Sequence, residues 1–213
     1  MPWHARFGWI FAVTIAIAGC GGDTRPNPAS QRPALDAAAR DGETRVLVAY
    51  LSVSGSAASM AEAVAEGARL VEGATVVVRS LDAVTSEELA AADAIAFGSP
   101  TYFAGLPAAV KAALDRWGAD PSIDLTDKFA GAFSTGGGRA GGKEAVLTAL
   151  HAYALSRRMI VAGPLYERGE GAWGELGATA RIEPGDPGPD AGELESAKRL
   201  GERLAGLAAR RAP

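Results

Sequence analysis

Cysteine and histidine are almost missing from this chain: its 213 residues include one cysteine, Cys20, and two histidines, His4 and His151. Intrachain disulfides, cysteine-ligated zinc, iron–sulfur clusters and histidine-rich metal sites are thereby excluded. Aromatic residues make up only 7%, and no basic cluster occurs. With a formal charge of −4 and a pI near 5.3, nucleic-acid binding as the main activity is excluded too, because neutralising phosphates calls for a basic face. No apolar run approaches the roughly 20 residues of a comfortable membrane span. What is present is 48% hydrophobic and 22% charged. That composition suits one compact α/β or mixed domain with a single core, not a disordered or large multidomain chain.

The cysteine's place is informative. Residues 1–20 read MPWHARFGWIFAVTIAIAGC, with Arg6 ahead of an apolar stretch from Phe7 to Ala18 and small residues after it. That order is a secretory signal. Ile17-Ala18-Gly19-Cys20 resembles the bacterial lipobox, which implies diacylation of the Cys20 thiol and cleavage just before it. The alternatives are a plain signal peptide or an uncleaved anchor; a buried N-terminal helix is disfavoured by Gly19, Gly21 and Gly22. On the lipobox reading, residues 1–19 are a lipoprotein signal peptide whose removal takes away His4 and Arg6. The lipid then holds the protein on a membrane of the cell envelope. Gly21 after the cysteine favours the outer membrane, facing the periplasm, in a diderm cell. Residues 20–43 are mostly polar with three prolines and no apolar periodicity, and read as a flexible tether.

The folded domain is expected over residues 44–211. Short continuous apolar runs, Val46–Leu51, Thr75–Val78, Ala94–Phe97, Ala130–Phe133 and Met159–Ala162, predict five strands covered on both faces. Helical patterns lie between them: Met60/Val64/Gly67/Val71, Val110/Leu114/Trp117 after Pro107, and Val146/Leu150/Tyr153. A last helix carries Leu194/Ala197/Leu200/Leu204/Leu207, with Asp190 and Glu193 as its capping box, and Thr85 with Glu88 caps a shorter helix. Strands alternating with helices make a βαβ series and a doubly wound parallel sheet. Ligands are then expected at the carboxyl ends of the strands. The stretch from Gly163 to about Pro189, rich in glycine and proline, is expected to be irregular.

Three loops fall at those strand ends. After the first strand, Ser52-Val53-Ser54-Gly55-Ser56-Ala57 opens into a helix; hydroxyls and free N–H groups there make an anion site, with a serine-rich helix cap as the alternative. After the third, Gly98-Ser99-Pro100-Thr101-Tyr102-Phe103-Ala104-Gly105 sets two adjacent aromatics between glycines. They suit contact with a planar ring, one of them being expected to pack under the loop. After the fourth, Ser134-Thr135-Gly136-Gly137-Gly138-Arg139-Ala140-Gly141-Gly142-Lys143-Glu144 mimics two motifs. A Walker A loop fails because Glu144 stands where Ser or Thr holds magnesium. The dinucleotide pattern fails because no acidic residue ends the next strand. A glycine-rich loop that lets backbone approach a flat ligand is the better reading.

Taken in order, these loops resemble the flavodoxin superfamily, specifically its NAD(P)H:quinone oxidoreductase, tryptophan-repressor-binding-protein-like branch. The carriers are YLSVSGSAASMAEAVAEGA, GSPTYFAGLPAAVKAALDRWG, AFSTGGGRAGGKEAV and the closing GELGA…ELESAKRLGERLAGLA. The resemblance implies a flavodoxin-like sheet of order 2-1-3-4-5 with helices on both faces and FMN at the strand ends. It places the phosphate on Ser52, Val53, Ser54, Gly55, Ser56 and Ala57. The flavin ring and ribityl chain fall to Pro100, Thr101, Tyr102 and Phe103, and the ring's other edge to Ser134, Thr135, Gly136, Gly137 and Gly138. NAD(P)H is implied as co-substrate, with a quinone or other small-molecule acceptor or a redox partner, and with self-association. Two features depart from the branch. Ser156-Arg157-Arg158 replaces a histidine pair ahead of the fifth strand, so that Arg157 either sits near the flavin and steadies its reduced anion or is a solvated helix-end cation. Ser54 also stands where relatives carry an aromatic. Trp173 either covers the flavin or anchors its own loop, and His151, mid-helix, is expected to be a packing or surface residue. The rival readings are a membrane-tethered FMN electron carrier without its own substrate and a binding module that has lost the flavin.

Overall fold

The computed structural model describes residues 42–165 and 176–211. The signal peptide, Cys20, most of the tether and Trp173 lie outside the described residues. Strands β1 (Thr44–Tyr50), β2 (Ala74–Ser80), β3 (Ala94–Pro100) and β4 (Phe129–Gly136) alternate with helices α1 (Ser56–Arg69), α2 (Ser86–Ala91) and α3 (Ala108–Ala119). Helix α4 (Lys143–Ser156) leads to two short strands, β5 (Ile160–Val161) and β6 (Ala178–Arg181), and α5 (Ala191–Arg211) follows.

All strand pairs are parallel and the order is β2-β1-β3-β4-β5, the flavodoxin-like order. Each strand of a two-sided sheet feeds both faces with period two. Along β1, Leu47 and Ala49 join one core while Val46 and Val48 join the other; along β3, Ile95 and Phe97 oppose Ala94 and Ala96. One core is closed by α2, α3 and α4, the other by α1 and α5. This double burial is why the strands read as unbroken apolar runs.

The expected strand count of five is corrected to six. Against the free edge of β4, β5 pairs only with Phe129 and Ala130, and β6 pairs with Phe133–Gly136. Both occupy one position in the sheet, end to end, with residues 162–177 between them. β6 lies inside the stretch expected to be irregular. Its sequence ATAR has one β-branched residue and no apolar run, so pairing with β4 and burial of Ala178 and Ala180 make it a strand, not propensity.

Local chemistry sets the helix starts. Thr85 and Glu88 form a full capping box at α2. Asp190 Oδ1 accepts from the Glu193 N–H and Glu193 Oε2 from the Asp190 N–H, each at 2.9 Å, at α5. Glu193 Oε1 also accepts from the Arg181 N–H, tying β6 to that helix start.

Candidate functional site

Parallel pairing sends the β1–α1, β3–α3, β4–α4 and β6–α5 connections to one edge of the sheet. At the first, Gly55 sits at the N-cap of α1 with φ +97°. Ser52 Oγ accepts from the N–H groups of Gly55 and Ala58, both at 3.2 Å. This serine caps the helix, and its own proton is left to donate. The Ser54 and Ser56 hydroxyls lie 3.5 Å apart. The N–H groups of Ser56 and Ala57 have no acceptor among the described residues, as befits first-turn amides. A cavity of about 590 Å³ opens beside them, lined by Ser54–Ser56, Ser59, Gly137 and residues 182–188. No lysine or arginine lines it, so an anion there is held by hydroxyls, amides and the helix dipole. The Val53 side chain is 70% exposed; only its backbone belongs to the loop.

The second connection is a tight turn. Tyr102 and Gly105 exchange both backbone hydrogen bonds, at 3.0 and 2.9 Å. Phe103 and Ala104 between them have φ of +48° and +60°, a type I′ turn built on residues other than glycine. Such backbone costs an L-residue about 1–2 kcal/mol. Contrary to expectation neither ring packs under the loop, since Tyr102 is 44% exposed and Phe103 104%. Thr101 anchors the turn: its N–H donates to the Thr135 carbonyl at 2.7 Å, and its hydroxyl lies 3.1 Å from that of Ser134. Ser134 and Thr135 are buried. The Ser134 hydroxyl is taken up by Thr101 in joining β3 to β4, and Pro100 ends β3 half-buried beside them.

The third connection touches the second through glycine. A Cβ at Gly136 would lie 3.0 Å from Thr101 Cβ, and one at Gly142 would lie 2.5 Å from Ala104 Cα. Gly138, at φ +67°, is gripped at both its backbone groups. Its N–H donates to Glu183 Oε1 at 3.0 Å and its carbonyl accepts from Lys143 Nζ at 2.6 Å. Lys143 itself is buried. The sequence pattern had marked Lys143 only as part of a failed Walker loop, and had no signal for Glu183 or Ser59. The run EPGDPGP, its turn held by Glu183 N–H to Asp186 Oδ2 at 2.8 Å, was its nearest hint.

Arg157 stands apart from these loops and is corrected as a cofactor-binding candidate. It caps the carboxyl end of α4, beside Arg158, whose carbonyl accepts from Asp127 just before β4. That is the amino edge of the sheet. Its guanidinium donates to the carbonyls of Gly118, at 3.2 Å, and Ile123, at 2.9 Å. It therefore fastens α4 to the end of α3. His151, on α4, is partly buried with Nε2 unpartnered, and burial holds its pKa below the usual 6.5. Burial pushes the Tyr153 phenol up, with Asp115 adding to the effect and Arg157 opposing it. Tyr153 stands edge-on to Phe97, with ring centroids 5.9 Å apart, a packing role.

Comparison with known proteins bears on the same loops. A model of the family described as NADPH-dependent FMN reductase matches residues 46–167. A flavodoxin of Aquifex aeolicus is 34% identical over 161 residues, covering 76% of this chain and 85% of its own length. A protein of Geotalea uraniireducens named NAD(P)H dehydrogenase (quinone) is 31% identical over 199 residues, covering 78% of this chain and 98% of its own. Among solved structures, a flavodoxin, WrbA-like protein from Agrobacterium tumefaciens superposes with a TM-score of 0.63 at 29% identity, over 79% of this chain and 99% of that one.

Proposed function

The chain belongs to the NADPH-dependent FMN reductase family, and from that premise we propose that it is an FMN-dependent oxidoreductase taking electrons from NAD(P)H and passing them to a quinone-like acceptor. The observation that carries this reading is the meeting, at one sheet edge, of a cation-free anion cradle with a glycine loop and an exposed aromatic turn. The residues present fit FMN. The Ser54 and Ser56 hydroxyls and the Ser56 and Ala57 N–H groups suit a phosphate monoester that stays in place. Gly136–Gly138 leave backbone bare where a flat ring needs close approach, and Tyr102 and Phe103 offer aromatic faces to it. Bound there, FMN supplies the hydride-accepting and electron-donating chemistry, while the chain supplies binding and orientation. No side chain of the site is needed as an acid or base.

The test is an absorbance spectrum of the purified full chain, taken before and after adding NADPH. A yellow protein that NADPH bleaches and benzoquinone restores is expected. A colourless chain into which no FMN can be titrated defeats this reading and leaves a flavin-less binding module. The likeness to the Aquifex aeolicus flavodoxin supports one rival, an electron carrier with no substrate of its own. That rival gains if the protein is yellow but neither NADH nor NADPH bleaches it. Nicotinamide cofactors are scarce outside the cytoplasm, so the rival also gains weight if the chain is exported. Export, lipidation at Cys20 and anchoring to a cell-envelope membrane remain part of the proposal, supported by the lipobox-like IAGC. In a diderm cell the membrane would be the outer one, its periplasmic face bearing the protein. Self-association is proposed from the family likeness alone.

A further inference from the structure

Lys143 breaks several local rules at once. Its side chain is only 4% exposed, although an ammonium is costly to strip of water. It is the first residue of α4, the helix end where the dipole repels a cation. No carboxylate among the described residues lies within ion-pairing distance of it. Its one acceptor among the described residues is the Gly138 carbonyl at 2.6 Å, which engages one of the three N–H groups of an ammonium. The described charged groups around this loop do not neutralise it. Glu183 gives Oε1 to the Gly138 N–H and lies 3.9 Å from Arg181 Nε, and Arg139 and Glu144 are exposed.

Fastening Gly138 needs a donor, and a neutral amide would serve. A buried charge left without a counter-ion among the described residues points to a negative charge that arrives with the ligand. When FMN accepts a hydride from the nicotinamide, its ring system gains two electrons and one proton, hence one negative charge, and the donor leaves as NAD(P)⁺. Resting on the FMN reading above, we propose that the Lys143 ammonium favours reduced, anionic FMN over oxidised FMN in this site. Lys143 thereby takes the electrostatic part that the sequence had offered to Arg157.

The test compares the full-length wild type with K143Q and K143R by redox titration against a dye of known potential and by flavin-fluorescence binding. Glutamine keeps a donor for Gly138 and removes the charge. Oxidised FMN is expected to bind K143Q within about threefold of wild type. Reduced FMN is expected to bind about tenfold more weakly, which lowers the two-electron potential by about 30 mV. K143R retains the wild-type potential. A purely structural lysine would weaken both redox forms alike in K143Q and leave the potential unmoved, and that result overturns the proposal.

A wild-type measurement stands whether or not a variant folds. With a reduced form that stays anionic, the potential falls about 30 mV per pH unit into the mildly acid range, one proton accompanying two electrons. About 60 mV per unit there means a neutral reduced form, and overturns the proposal as well. A wild-type chain that binds no FMN sinks both the flavin reading and this one; a yellow wild type with an unmoved K143Q potential sinks only the role of Lys143.

Discussion

Gly55 and Phe103 hold left-handed backbone at the same edge for different reasons. A Cβ at Gly55 would meet nothing within 4 Å, so space does not require glycine there. Its φ of +97° does, together with the need for an anion to approach the α1 amides. Replacing it separates the two demands. Gly55→Ala is expected to cost about 1–2 kcal/mol of stability from the backbone alone, with FMN affinity close to wild type. Gly55→Asp adds a carboxylate at the anion cradle and is expected to raise the FMN dissociation constant at least about tenfold beyond the alanine variant, by roughly the 1.4 kcal/mol that a tenfold change represents. Urea unfolding reads the first effect and flavin-fluorescence titration the second; equal FMN affinity in the two variants would refute the loop assignment. Phe103 keeps a strained φ and a bare ring together, a combination that packing does not reward. The hydroxyls and glycine of residues 52–57 were legible because each type has a mechanism at a helix start. The ends of α4 were not. Whether Arg157 or Lys143 lies at the site's edge of the sheet depends on which end of α4 each occupies, and Lys143 lies against Gly136 and bonds Gly138 of the loop before it.

At the level of elements, two capping boxes announced α2 and α5, while β6 gave no announcement because its strand character comes from its partner. The contact between α1 and α5 was equally silent. A Cβ at Gly67 would lie 1.8 Å from the Lys198 carbonyl oxygen, and one at Gly201 would lie 1.8 Å from that of Val64. The helices touch backbone to backbone, and neither oxygen can step aside as a side-chain end could. Gly201→Ala must push them apart, and its expected cost is at least the roughly 1–3 kcal/mol of ordinary overpacking. Gly206, on the same helix, faces only the Arg210 guanidinium at 3.6 Å. There Gly206→Ala is expected to gain up to about 1 kcal/mol from helix propensity. Urea midpoints with unchanged slopes measure both. The same sign for the two substitutions would mean that the helices do not meet as described. In the sequence Gly67 appeared as one position of an apolar face, which is true of its side but says nothing of how closely another helix approaches.

For the whole molecule, the doubly wound topology was legible from the alternation of elements, and it fixes which edge of the sheet the site occupies. The chain enters β1 at the amino edge, while every loop of the candidate site lies at the carboxyl edge. Seven residues of β1 at about 3.3 Å each separate the two by roughly 20 Å. The proposal that a lipid holds the chain on a membrane is a separate matter, and it stands on Cys20 and the IAGC that contains it. Bacteria expressing the full chain and fed an alkyne-bearing fatty acid are expected to label it, and Cys20→Ser is expected to abolish the label while the chain keeps its FMN spectrum. Sedimentation with membranes does not discriminate, because an uncleaved apolar segment from Phe7 to Ala18 would also hold the chain there. The covalent label does: its absence from the wild type, or its persistence in Cys20→Ser, removes the lipid anchor and leaves the plain signal peptide or the uncleaved segment in its place.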